Sequence, residues 1–234
     1  MKKYLTLSNL FLLVSFVASI VIAIVFPTAL SWLIFVSATS GILYSKFATE
    51  GKWFAFVFDI ISYAVYIVVC WHEKYFGELI LSCILIVFET IIMFEWKKHK
   101  ENKKVIVNSL KAKEYALILF LAVVSIAIYY VVLYFLGTDM PFLNAIPTVV
   151  YLLGIYFALR RCRAQFWCYM IYQLSAGVLW VVSACDGQIG SIILLIGFVS
   201  EFIYNLFGII NWKKIKTSQR DTVEIILKIV KQKL

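Results

Sequence analysis

Eight apolar runs, each closed by charge, Pro or Gly, follow one another along the chain: Ser8–Phe26, Thr28–Ala48, Trp53–Trp71, Leu79–Trp96, Tyr115–Leu136, Phe142–Leu159, Phe166–Ala184 and Ile192–Ile210. Each is close to the roughly 20 residues an α-helix needs to cross about 30 Å of hydrocarbon. The pattern predicts eight transmembrane helices joined by short loops. The first two runs meet at Pro27, where a missing N–H costs nothing at the head of a helix.

Composition excludes the alternatives. Apolar residues are 63% of the 234 and charged residues 15%, against about half and a quarter in soluble domains. Mean hydropathy is +0.93. Aromatics at 17%, with ten Gly and three Pro, do not fit disorder or a collagen-like chain. The fold class expected is an all-α polytopic membrane protein.

Charge sorts by side. Threading eight spans puts 21 of the 22 basic residues on one face: Lys2 and Lys3, Lys46 and Lys52, seven Lys from Lys97 to Lys113, three Arg from Arg160 to Arg163, and seven from Lys213 to Lys233. Only Lys74 falls opposite. A miscount of one span would invert every later loop, so the bias supports both the count and cytoplasmic N- and C-termini in a plasma (inner) membrane. The net charge of +9 is thereby explained by orientation and anionic lipid rather than by nucleic acid. Lys2 and Lys3 before an apolar run resemble a signal peptide, but the run is too long for an h-region, and a retained helix is expected.

After Lys216, Ser218 and Asp221 suggest a cap for a separate amphipathic helix with Val223, Ile226, Leu227 and Val230 on one face. Cys70, Cys83, Cys162, Cys168 and Cys185 lack metal or redox spacing and are expected as small core residues. No cofactor or metal is expected.

The chain also matches itself. With Trp53 aligned on Trp167, Asp59 and Gln173 stand six residues later, and Tyr66 and Trp180 thirteen later. Both halves end in Trp-Lys-Lys, at Trp96 and Trp212, with Glu89 and Asn205 seven residues before those tryptophans. Gly41 and Gly154 stand upstream at similar spacing. The expected organisation is a peripheral transmembrane helix (8–27), a three-helix repeat (28–98), a basic loop and linker helix (99–140), a second repeat (141–214) and a cytoplasmic amphipathic tail (215–234). Because the linker helix returns the chain to its starting side, the repeats are parallel, as in transporters of the SWEET type.

Within these spans Asp59, Glu89, Asn144, Gln173, Glu201 and Asn205 are polar. A charge at mid-span costs roughly 2.5–3.5 kcal/mol or more, so such residues face the bundle interior. No basic residue lies deep enough to pair the three acids. A neutral carboxyl hydrogen-bonded to Ser or Tyr is the structural alternative; the functional one is a cavity for a flat, cationic or hydroxylated solute, walled by Tyr66, Trp167, Tyr169, Tyr172 and Trp180. Trp53, Trp71, Trp96 and Trp212, at span ends, are expected as interface anchors. No His lies within a span, and no nucleophile and base are paired, so an enzyme is not expected.

The spacing of Trp53, Asp59, Tyr66 and Trp96 in one half, and of Trp167, Gln173, Trp180, Gly208 and Trp212 in the other, resembles the PnuC family of vitamin transporters over roughly 41–214. The family carries nicotinamide riboside, with relatives assigned to thiamine, riboflavin or deoxynucleosides. The resemblance implies one site between the repeats and facilitated diffusion, with cytoplasmic phosphorylation trapping the solute. The absence of a GxxxxGK[ST] loop agrees. Gln173, where those members carry Asn or Asp, and Phe166-Trp167-Cys168-Tyr169, poorer in Trp than theirs, bear on which solute is carried. The function expected is uniport of nicotinamide riboside or a related vitamin or nucleoside, with Asp59, Tyr66, Glu89, Trp167, Gln173, Trp180, Glu201 and Asn205 as the site. Thiamine or deoxynucleoside transport, a membrane coupling subunit serving a soluble partner, a proton-coupled mode and a homo-oligomer stay open.

Overall fold

In the computed structural model the chain forms eight helices: α1 (Lys2–Val25), α2 (Ala29–Thr49), α3 (Ala55–His72), α4 (Phe76–Lys98), α5 (Ala112–Phe135), α6 (Pro141–Leu159), α7 (Ala164–Cys185) and α8 (Ile189–Lys233). The structure describes residues 2–72, 76–101, 103–137, 141–185 and 189–233, without the side chains of 2–7, 76–78, 143–144, 179–180, 182–184, 189–191 and 223–233. Lys74 and the side chains of Asn144 and Trp180 therefore lie outside the described residues, as does the apolar face expected from Val223 to Val230.

Each expected run falls on one helix. Among the described residues six helices are long and apolar enough to cross a membrane, those of α1 to α5 and α8. In α6 the apolar stretch is shorter, Ala145–Leu159. Gln165, Gln173 and Ser175 interrupt the apolar character of α7.

Local chemistry sets the joints. Pro27 stands just before the cap rather than in the helix: Thr28 is the N-cap of α2, its Oγ1 accepting from Ser31 N at 3.0 Å. At the head of α5, Glu114 Oε2 accepts from Lys111 N at 2.7 Å. The basic loop after α4 contains a small antiparallel hairpin, β1 (Lys100–Glu101) with β2 (Lys104–Val105), turned with Lys103 at φ 67°.

The helices pack in chain order within each half, α2 on α3 on α4 and α6 on α7 on α8; α2 meets α8, and α4 meets α6. The linker helix α5 packs on α6 and buries only Ala122, leaving an apolar surface for lipid. Against α2 and α8 lies α1, tied by Ser200 Oγ to Ser15 Oγ at 2.8 Å and by Tyr204 Oη to the Ser8 carbonyl at 2.8 Å.

The segment after β2 crosses the basic face of the bundle. Val105 N donates to the carbonyl of Gly51, which takes φ 73° in the α2–α3 turn, and Asn108 N donates to Arg161 O in the α6–α7 turn, at 2.8 and 3.0 Å. Gln219 on α8 reaches back, Oε1 accepting from Val107 N and Nε2 donating to Val105 O. Helix α8 runs unbroken from its span through Ser218, which lies inside it rather than capping a new helix. The physical reason is visible at Gln219, where the linker supplies backbone partners that hold this part of α8 against the bundle.

Two residue groups differ from expectation. Trp96 and Trp212 are not interface anchors: both are 0% exposed. Their rings lie 5.1 Å apart, flanked by Phe56 and Phe166. Their indole N–H groups cross between halves, Trp96 Nε1 to Ala158 O at 2.8 Å and Trp212 Nε1 to Ala48 O at 3.0 Å. Trp71 is exposed, and Trp53 takes the Lys97 ammonium over its ring at 5.0 Å. Of the free cysteines, Cys70 and Cys162 are buried and Cys168 partly so, whereas Cys83 and Cys185 face outward. Burial raises the Cys162 thiol above its ordinary range despite the nearby Arg160 and Arg161.

Candidate functional site

Above the buried Trp96–Trp212 pair, a cavity of about 530 Å³ opens between α2, α3, α4, α6, α7 and α8. Its helices turn small or polar side chains inward at helical spacing. Ser37, Gly41, Tyr44, Ser45 and Ala48 line it from α2; Asp59, Ser62, Tyr63 and Tyr66 from α3.

Gln173 on α7 is the hub of one wall. Its Nε2 donates to Glu201 Oε2 at 3.0 Å and its Oε1 accepts from Asn205 Nδ2 at 2.9 Å. Glu201 and Asn205 stand one turn apart on α8, so a single amide holds both. Backbone closes in from the other half: a Cβ added at Gly41 would sit 2.6 Å from Glu201 Oε1. This contact needs a residue without a side chain on α2.

The opposite wall carries Asp59 on α3 and Glu89 on α4. Asp59 lies within electrostatic reach of both Glu89 and Glu201. Glu89 is 0% exposed and stands behind the cavity lining. The Asp59 and Glu89 carboxyls interact with each other, and among the described residues no Lys, Arg or His pairs with either. Two buried carboxyls side by side without a basic partner are costly when ionised.

Tyrosines join the walls. The hydroxyls of Tyr63 on α3 and Tyr151 on α6 hydrogen-bond across the two halves. The Tyr151 ring packs against Tyr172 at 4.7 Å and Tyr169 at 5.6 Å, and Tyr172 leads on to Phe198 at 5.7 Å. Gly154 lets Tyr169 lie against α6, since a Cβ there would fall 2.4 Å from the ring. Ser37 and Ser62 exchange bonds between α2 and α3, each hydroxyl donating to the other's carbonyl, at 3.1 and 2.9 Å.

Of the eight residues expected at the site, Asp59, Tyr66, Gln173, Glu201 and Asn205 line this cavity and Glu89 stands immediately behind Asp59. Trp167 is elsewhere. It is 52% exposed and lines a recess on the basic face, because its position on α7 points away from the side that carries Gln173. Tyr44, Tyr63 and Tyr151, with Ser37 and Ser62, were not singled out by the sequence. For Ser37, Tyr44, Ser62 and Tyr63 the signal is the stripe they make with Gly41 and Asp59 at spacings of three and four; Tyr151, on α6, has no such signal.

A bundle of apolar helices enclosing a polar, aromatic cavity is the architecture of a membrane protein that admits a small solute, as transporters do. The sequence profile of the nicotinamide mononucleotide transporter family matches residues 31–214, and the chain belongs to that family, the PnuC transporters. The nicotinamide riboside transporter PnuC of Neisseria mucosa is 28% identical over 192 residues, covering 79% of this chain and 73% of the relative. That of Haemophilus influenzae is 24% identical over 192 residues, covering 79% and 80%. A crystal structure of the vitamin B3 transporter PnuC superposes with a TM-score of 0.78 at 26% identity, covering 91% of this chain and 92% of that one.

Proposed function

We propose that this transporter carries nicotinamide riboside, or a closely related vitamin or nucleoside, into the cell by facilitated diffusion. The observation that carries this reading is the acidic lining of the cavity, with no basic side chain beside it. Asp59 and Glu201 line it, Glu89 stands behind, and among the described residues no Lys, Arg or His does. A cationic ring is attracted to that field and stacks on tyrosine faces, while Gln173, Asn205 and the serine hydroxyls suit a ribose. About 530 Å³ lies within the range of small-molecule sites. A phosphomonoester would bring negative charge against the carboxyls without a basic partner, so the riboside is favoured over the mononucleotide. The two curated relatives are named for nicotinamide riboside. Thiamine, also a cation, is the second candidate.

Transport is by alternating access between two parallel three-helix halves, α2–α4 and α6–α8, rocking about the site. Three correspondences support the repeat: Asp59 beside Glu89 as Gln173 beside Asn205, Gly41 and Gly154 at close approaches, and the crossed bonds of Trp96 and Trp212. Substrate contacts fall to Glu201, Asp59, Gln173 and Asn205, with Tyr66 and Trp180 stacking and Glu89 sustaining the field. The basic face is cytoplasmic, with both termini on that side of the plasma membrane. Uptake of labelled nicotinamide riboside by proteoliposomes containing only this chain tests the reading. Uptake competed by thiamine but not by nicotinamide mononucleotide is the expected result. Failure to carry any vitamin or nucleoside contradicts it and favours a coupling subunit.

A further inference from the structure

A second recess, distinct from the central cavity, lies where α5 and α7 begin and α8 leaves the span. Four basic side chains line it, Arg163, Lys213, Lys216 and Arg220, against one acid, Asp221. Lys216 Nζ donates to Ser109 Oγ, which fixes one of these ammonium groups at the rim. Tyr115 and Trp167 line it as well, both exposed. Basic groups and amphipathic aromatic rings brought together at the end of a span complement the headgroup phosphates and the glycerol level of a bilayer.

The surface beneath the recess continues the pattern. Trp167, Ile171, Leu174 and Val178 follow at spacings of four, three and four on α7, and all are exposed. They form one apolar stripe descending from the recess. From Trp167 to Val178 the helix rises about 17 Å at 1.5 Å per residue, close to the ~15 Å of one leaflet's hydrocarbon. On α5, Leu119 and Val123 stand one and two turns below Tyr115 and are also exposed, giving a second apolar track from the same opening.

We infer that this recess is a binding site for one anionic phospholipid of the cytoplasmic leaflet, its phosphate held by Arg163, Lys213, Lys216 and Arg220 and an acyl chain lying on the Trp167–Val178 stripe. A soluble phosphate would use the basic rim and leave the stripe without purpose; a zwitterionic lipid would use the stripe and carry a choline cation against the rim. Only a lipid with net negative charge satisfies both. Helix α7 carries Trp167 on its outer face and Gln173 on the cavity wall, so a lipid held here braces the helix that positions Glu201 and Asn205. The leaflet follows from the orientation proposed above; the binding itself does not, and the assay below reads binding alone.

The test is thermal unfolding and native mass spectrometry of the full chain in detergent, titrated with dioleoyl phosphatidylglycerol, dioleoyl phosphatidylcholine or glycerol 3-phosphate. Phosphatidylglycerol is expected to raise the melting temperature and appear as a retained adduct, with the other two giving neither effect. Arg163→Gln with Lys213→Gln should abolish most of the shift, while Lys98→Gln with Lys103→Gln, which removes the same charge elsewhere on this face, should keep it. Neither pair touches the central cavity, so retained vitamin binding in both shows that they fold. Brominated acyl chains should quench a fluorescence component that disappears in Trp167→Phe. An equal loss in the two double variants shows nonspecific charge attraction and overturns the site. A full effect from glycerol 3-phosphate shows a soluble-anion site, and an undiminished shift in Arg163→Gln/Lys213→Gln places the lipid elsewhere.

Discussion

Glu201 is held from two helices, by the Gln173 amide on α7 and by the close backbone of Gly41 on α2. It has no basic partner in the cavity lining, so a bound cation would favour its ionised form. Glu201→Gln keeps the shape and removes the charge. Affinity for nicotinamide riboside is expected to fall about tenfold, equivalent to about 1.4 kcal/mol, while a neutral nucleoside loses little, as measured by calorimetry. Equal loss for both would remove the charge argument. Gly41→Ala tests the same carboxyl sterically: with 2.6 Å between the new Cβ and Oε1, the carboxyl must shift, and binding should weaken in a chain that still folds. The acids and amides of this site were legible in the sequence because polarity inside an apolar run is conspicuous. The tyrosines were less so, since Tyr is common at interfaces and its facing depends on helix rotation. For that reason Trp167 was assigned to the cavity and Tyr63 and Tyr151 were not.

At the scale of elements, the two halves are joined at the basic end by an aromatic knot. Trp96 ends α4 and donates to α6; Trp212 ends the span of α8 and donates to α2. Trp96→Phe or Trp212→Phe removes one of two donors from a buried carbonyl, since Ala158 O keeps Arg161 N and Ala48 O keeps Gly51 N, and each should cost about 1 kcal/mol in unfolding experiments. Because the rings touch, the double variant should lose a different amount from the sum of the two singles. Gln219→Ala should speed amide exchange in the 99–111 segment that it braces, with vitamin binding unchanged. Run lengths and charges made all eight helices legible. What they could not show was α8 continuing past Ser218, since the partners that hold it, Val105 and Val107, come from a loop more than a hundred residues away. The same limit hid the burial of Trp96 and Trp212: at a span end, an anchor and a cross-half donor have the same sequence signature.

The whole molecule joins a lipid-facing exterior to a cavity walled by α2, α3, α4, α6, α7 and α8, on a fold that superposes on the PnuC crystal structure. Its basic face is laced by backbone bonds from the linker to the α2–α3 turn, the α6–α7 turn and α8. Uniport predicts that an imposed pH gradient leaves the initial rate of uptake unchanged; acceleration by an inward proton gradient would instead assign Asp59, Glu89 or Glu201 to proton carriage. In the proposed function a cation is selected by carboxyls that have no basic partner. The most direct measurement is uptake into proteoliposomes of nicotinamide riboside against its mononucleotide, comparing the natural chain with Glu201→Gln. Rapid uptake of the riboside, none of the mononucleotide, and a selective loss of riboside transport in the variant are expected. Transport of the mononucleotide at a comparable rate, or a variant that carries the riboside unimpaired, would contradict that selection.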